Sequence, residues 1–102
     1  MNRIDIIDLD QNINEGDVLI DVRSQEEAME GMIEGALLMD IYDPEFGSKV
    51  SELDRSKNYF LYCRSGGRSG MACQLMESMG LNKVTNLEGG MMAWNGEIVQ
   101  TW

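Results

Sequence analysis

The 102-residue chain contains no histidine. That absence removes the usual general base of a Ser-His-Asp or Cys-His mechanism. The two cysteines, Cys63 and Cys73, are too few for a disulfide framework. Their spacing matches neither CxxC nor a zinc pattern, so no metal site is expected. The single proline, Pro44, sits in the acidic and aromatic stretch "DIYDPEFGS", which reads as a surface loop. No run approaches the roughly 18 apolar residues of a membrane span. The opening "MNRIDIIDLDQNINEG" carries acids where a secretory signal needs an apolar core. A soluble, cytoplasmic protein is the expectation. Basic residues are scarce as well: eight Lys and Arg stand against eighteen Asp and Glu, a formal net charge of -10. That balance opposes binding to nucleic acid or to an anionic membrane surface. The acids are spread along the chain, as solvated faces require.

What remains is enough for one compact domain over residues 1–102, with 43% hydrophobic residues, no internal repeat and no linker. "DVLIDVR" (17–23) and "NYFLYCR" (58–64) are short runs, rich in β-branched or aromatic residues, that lack clean alternation. They suit buried strands of a parallel sheet. "GALLMDI" (35–41) and "KVTNLEG" (83–89) are weaker candidates of the same kind. Helix signals fall between them. Ser24 can cap "QEEAMEGM", and Ser48 or Ser51 can start a short helical turn toward Leu53. "SGMACQLMESMG" puts Ala72, Leu75, Met76 and Met79 on one face and ends at Gly80. Strands alternating with helices predict an α/β sheet whose ligands bind beyond the carboxyl ends of the strands.

Cys63 lies at such an end, in "YCRSGGRSG" (62–70). Gly66 and Gly67 allow a tight turn in which successive backbone N–H groups converge, and the following helix adds its own N–H groups and dipole. The loop can cradle negative charge, and the nearest atom able to carry it is the Cys63 sulfur. Backbone dipoles and the guanidinium groups of Arg64 and Arg68 would favour the attacking thiolate form and draw in an anionic substrate. The alternatives are plainer. Cys63 is a small buried hydrophobe, Arg68 pairs with Asp21 or Glu27, and Arg64 is exposed without a role. Cys73, about one turn into the helix, reads as core and, less naturally, as a resolving thiol. Most of the nine methionines read as core filling, with Met32, Met91 and Met92 as an adaptable apolar rim.

Three ordered blocks resemble the single-domain rhodanese-like sulfurtransferases over about residues 18–95. "LIDVRSQEEAMEGMIEGA" (19–36) is similar to the family's first signature at Asp21, Arg23, Glu27, Gly31, Ile33, Gly35 and Ala36. "YCRSGGRS" (62–69) resembles its active-site loop, and "NLEGGMMAW" (86–94) its closing motif. The resemblance implies a rhodanese-like α/β fold, a mostly parallel central sheet of about five strands flanked by helices on both faces. It implies that Cys63 takes a sulfane sulfur from thiosulfate or a polysulfide, becomes a persulfide, and yields the sulfur to cyanide or a thiol by ping-pong transfer without a cofactor. The backbone of Arg64, Ser65, Gly66, Gly67, Arg68 and Ser69 would hold the persulfide. Arg64 would meet an oxyanion donor while Arg68 shapes the loop, and Asp21, Arg23 and Glu27 would be scaffold. Met32 and Ala28 depart from the family's common histidine and aromatic, and so bear on packing and access around that helix.

Three other functions compete. Cysteine-loop phosphatases and arsenate reductases use a longer spacing between cysteine and arginine than the four residues separating Cys63 from Arg68, and this smaller loop suits one sulfur atom better than a phosphoryl group. A carrier or binding module that exchanges sulfur with a protein donor or acceptor fits an acidic surface around a small positive mouth. An inert structural domain would have no use for the intact loop. The tail "EIVQTW" is assigned to no element.

Overall fold

The two most apolar runs of the chain become the middle of the sheet. In the computed structural model, which describes residues 1–100, the chain runs through β1 (Asn2–Asp5), a 3-10 turn (Ile6–Asp8) and α1 (Leu9–Asn12). It continues through β2 (Val18–Asp21), α2 (Gln25–Met29), β3 (Met32–Ile33), β4 (Leu37–Leu38), α3 (Phe46–Ser51) and β5 (Tyr59–Tyr62). α4 (Gly67–Ser78), β6 (Val84–Glu88), α5 (Gly90–Ala93) and β7 (Ile98–Val99) complete it. Five strands form one parallel sheet in the order β1-β6-β5-β2-β4, the α/β architecture that the sequence predicts. Among the described residues no helix is long and apolar enough to cross a membrane.

Both faces of the central strands are covered, which is why their sequences lack alternation. Val18 lies opposite Tyr59 and Ile20 opposite Leu61. Ile20, Tyr59, Leu61 and Val84 pack on one side with Phe46 and Val50 of α3 and with Ala72, Cys73 and Met76 of α4. Leu19, Phe60, Tyr62 and Leu87 point the other way, onto Ile6, Leu9 and Ile33, with Met91 and Trp94 at the margin. Because the strands are parallel, β2, β5 and β6 all end on the same edge, at Asp21, Tyr62 and Glu88. The segments that follow them meet there, and Cys63 is the first residue after β5.

Several local expectations shift. α3 begins at Phe46, before Ser48 and Ser51: Asp43 supplies the early acceptors, taking the Glu45 N–H on its side chain at 2.9 Å and the Phe46 N–H on its carbonyl at 2.9 Å. Phe46 and Val50, one turn apart, are both buried. In α4 the inward face is Ser69, Ala72, Cys73 and Met76, spaced i, i+3, i+4, i+7. Leu75, expected in the core, is 40% exposed. The sheet takes the small Cys73 where a face read from size alone would have placed Leu75. Cys73 is core, as expected, and Ser24 caps α2 with a full capping box to Glu27.

β1 and β7 carried no sequence signal. "NRID" is mostly exposed and forms an edge strand beside β6, while Ile98–Val99 of the unassigned tail pairs antiparallel with Met32–Ile33. The rest of that tail, Thr101 and Trp102, lies outside the described residues. The inward face of α4 makes a direct prediction. Met76→Ala should lower unfolding free energy by about 2–5 kcal/mol in chemical denaturation. Leu75→Ala should change it by roughly 1 kcal/mol or less, and the reverse ranking would refute this placement.

Candidate active site

β5 delivers Cys63 at its carboxyl end, and the chain then turns into α4 within three residues. Gly66 makes that turn possible. Its φ is +108°, in the left-handed region, and a Cβ there would meet nothing closer than 3.6 Å. The backbone angle, not crowding, is therefore what asks for glycine. With Gly66 in that conformation its N–H points back at the Cys63 Sγ, 3.1 Å away, and the Ser69 hydroxyl donates to the same sulfur at 3.4 Å. Ser69 is fully buried in the first turn of α4.

The sulfur is itself buried, the whole residue being 1% exposed. Burial pushes the thiol pKa up, yet the Ser69 hydroxyl and the N–H groups of Ser69, Gly66 and Ser65 outweigh it, so the net direction is downward. Cys73 shows the same burial without the donors. Desolvation first, then the Glu77 charge, push it up to about 12. The two thiols of the chain thus have opposite character.

The cradle is braced from the neighbouring strand end. Asn86 of β6 donates from Nδ2 to the Gly66 carbonyl at 3.2 Å and to Glu88 Oε2 at 2.6 Å, while its buried Oδ1 has no protein partner. Gly90, at φ +58°, approaches so closely that a Cβ would sit 2.5 Å from the carbonyl oxygens of Cys63 and Arg64. The N–H groups of Met91 and Met92 bind those same two carbonyls, each at 3.0 Å. Asn86, Gly90 and the Met91–Met92 backbone are the site residues that reasoning from the loop alone did not single out. The signal available for them was position: they lie in, or just after, a parallel strand adjacent to β5.

The charged residues sort themselves by partner. Asp21 and Arg23 form a buried pair with a 2.7 Å contact, Arg23 also donates to the Gly31 carbonyl, and its guanidinium lies 5.7 Å from the centroid of the Tyr62 ring. Arg68 meets Glu27 with both terminal nitrogens, at 2.7 and 2.8 Å. The ion-pair alternative for Arg68 is therefore the geometry present, with Glu27 as its partner, since Asp21 is engaged by Arg23. Arg68 and the Ser24 cap hold the Glu27 carboxyl down at about 2. Arg64, Ser65 and Gly67 are exposed. Among the described residues the Arg64 side chain has no hydrogen-bond or ion-pair partner. It lines a depression of about 410 Å³ with Arg23, Glu27, Glu30, Met91 and Met92. Met92 is 70% exposed on that rim, but Met32 is buried in β3 and does not belong to it.

Comparison with known proteins places the chain in a family. The family model described as a rhodanese-like domain matches residues 5–97, a span that contains all three motifs. A putative sulfurtransferase of Bacillus subtilis, YtwF, is 49% identical over 80 residues, covering 78% of this chain and 74% of that protein. A sulfurtransferase of Allochromatium vinosum is 35% identical over 96 residues, covering 92% and 88%. The crystal structure of a rhodanese-like domain protein from Staphylococcus aureus superposes with a TM-score of 0.87 at 26% identity, over 100% of both chains.

Two outcomes follow from the electrostatics. Iodoacetamide should modify Cys63 with a pH midpoint below the ordinary thiol value of 9.0 and leave Cys73 unmodified in the folded protein. Asn86→Leu, which frees the Gly66 peptide, should raise that midpoint. A midpoint at or above 9.0 in the unaltered protein would overturn the assignment of the donors. For Glu27 the folded pKa of about 2 lies below the ordinary 4.5, so the stability it contributes is complete above pH 4.5 and disappears as pH falls toward 2. The difference in unfolding free energy between the unaltered protein and Glu27→Gln should narrow over that interval. A constant difference would mean the pair contributes nothing through its charge.

Proposed function

Because the chain belongs to the rhodanese-like domain family, we propose that it is a sulfurtransferase that moves a sulfane sulfur through a persulfide on Cys63. The observation that carries this reading is the pair of donors aimed at the Cys63 sulfur, the Gly66 N–H at 3.1 Å and the Ser69 hydroxyl at 3.4 Å. They favour a thiolate without a general base, in a chain that has no histidine to act as one.

The reaction runs in two displacements. The Cys63 thiolate attacks the outer sulfur of thiosulfate or a polysulfide. A sulfur–sulfur bond forms to Sγ, and the donor's own sulfur–sulfur bond breaks with its electron pair leaving on sulfite or on a shorter polysulfide. The terminal sulfur of the persulfide then carries the negative charge, within reach of the N–H groups from Arg64 to Ser69 and of the amino-terminal end of α4. Cyanide or a thiolate next attacks that terminal sulfur, and Cys63 departs as thiolate. Arg64 is the exposed cation that meets the sulfonate of thiosulfate. Arg68, engaged with Glu27, contributes charge and loop shape at longer range. No cofactor enters either step.

Intact-mass measurement before and after thiosulfate, with cyanide added last, tests the reading. A gain of one sulfur that cyanide removes, and that Cys63→Ala lacks while Cys73→Ala retains it, is the expected result. Arg64→Ala should slow loading from thiosulfate by about three- to tenfold, the range of an exposed charge contact, and slow loading from an uncharged organic trisulfide less. Sulfur arriving at Cys73 would sink the assignment. Loading only from a persulfidated donor protein would instead identify a carrier in protein-to-protein transfer.

A further inference from the structure

The depression beside the loop is lined by four charged side chains, Arg23, Glu27, Glu30 and Arg64, and two of them are engaged. Arg23 is held by Asp21 and the Gly31 carbonyl. Glu27 is held by Arg68 and Ser24. Glu30, at the carboxyl end of α2, and Arg64, next to Cys63, are both exposed. Among the described residues neither side chain makes a hydrogen bond or ion pair, and the two do not pair with each other. One positive and one negative group therefore face the same hollow without closing it.

The remaining wall is apolar and soft. Met91 and Met92 supply two thioethers whose backbone N–H groups are fixed to the carbonyls of Cys63 and Arg64, which ties this wall to the reacting residue. A volume of about 410 Å³ suits a small molecule. An acceptor bearing only an anion would satisfy Arg64 and be repelled by Glu30. One bearing only a cation would meet the reverse, and a molecule with both charges satisfies each.

Resting on the sulfurtransferase reading, we propose that the acceptor is a small zwitterionic aminothiol, its carboxylate on Arg64, its ammonium group on Glu30 and its carbon chain against Met91 and Met92. The acceptor thiol loses its proton to solvent, and its thiolate attacks the terminal sulfur of the Cys63 persulfide. The bond between the acceptor sulfur and the transferred sulfur forms as the bond to Cys63 Sγ breaks, with the electron pair leaving on Sγ. The products are the acceptor persulfide and the Cys63 thiolate, so no outside oxidant or reductant enters. Arg64 then serves both halves of the ping-pong cycle, meeting a sulfonate in the first and a carboxylate in the second.

The test loads the full chain with an organic trisulfide, verifies the added sulfur by intact mass, and measures transfer to cysteine, cysteamine, 3-mercaptopropionate and 2-mercaptoethanol at equal thiolate concentration. Cysteine should exceed 2-mercaptoethanol by about three- to tenfold. Arg64→Ala should lower the rates of the two carboxylate thiols relative to the other two. Glu30→Gln should do the same to the two ammonium thiols. Equal rates for all four acceptors, or ratios that neither substitution moves, would overturn the proposal while leaving the sulfurtransferase reading intact. A chain that never gains sulfur would overturn that reading, and this one with it.

Discussion

A thiolate that has lost its water survives only where fixed dipoles take the water's place. Cys63 is almost wholly buried, and in this chain no histidine stands by to generate or shield its charge. The burden falls on the backbone N–H groups of a turn and on one hydroxyl. Such donors work because they do not have to reorganise, which makes their placement the requirement that the surrounding structure serves.

That placement is enforced from three directions. From below, β6 sends the Asn86 amide to the Gly66 carbonyl, fixing the peptide whose neighbouring N–H meets the sulfur. From the side, Gly90 lets the next strand's exit lie so close that two further N–H groups seize the carbonyls of Cys63 and Arg64. From the front, Arg68 is tied to Glu27, and Glu27 is in turn part of the capping box of α2. The loop is thus connected to β6, α5 and α2, while Arg64 alone among its two arginines is left exposed and unpaired within the described residues. The division of labour between the arginines follows: one shapes, one faces solvent.

Much of this was legible along the chain. The consecutive apolar residues of 18–21 and 59–62 imply strands buried on both faces, the cysteine at the end of the second implies a site at the sheet edge, and "SGG" implies a turn feeding a helix. The Ser24 cap was equally plain, because a capping box is written within four consecutive residues. Other features had no local signature. "NRID" reads as polar loop until β6 offers it an edge, and Ile98–Val99 is an unremarkable tail until Met32–Ile33 pairs with it. Leu75 lies outside the core where its size suggested a place within it, because the buried face of α4 runs through Ser69, Ala72, Cys73 and Met76.

Residue order by itself determined the α/β class, the position of Cys63 at a strand end and the family resemblance, since each depends on neighbours a few residues apart. Tertiary structure supplied the atoms that separate the two buried thiols, the donors that lower the Cys63 pKa and the burial and Glu77 charge that raise that of Cys73. It also decided the partners of Arg23, Arg68 and Asn86, and with them which charges were left over for a ligand. Pairing between side chains dozens of residues apart follows from where the strands end in space, a property that no local stretch of sequence contains.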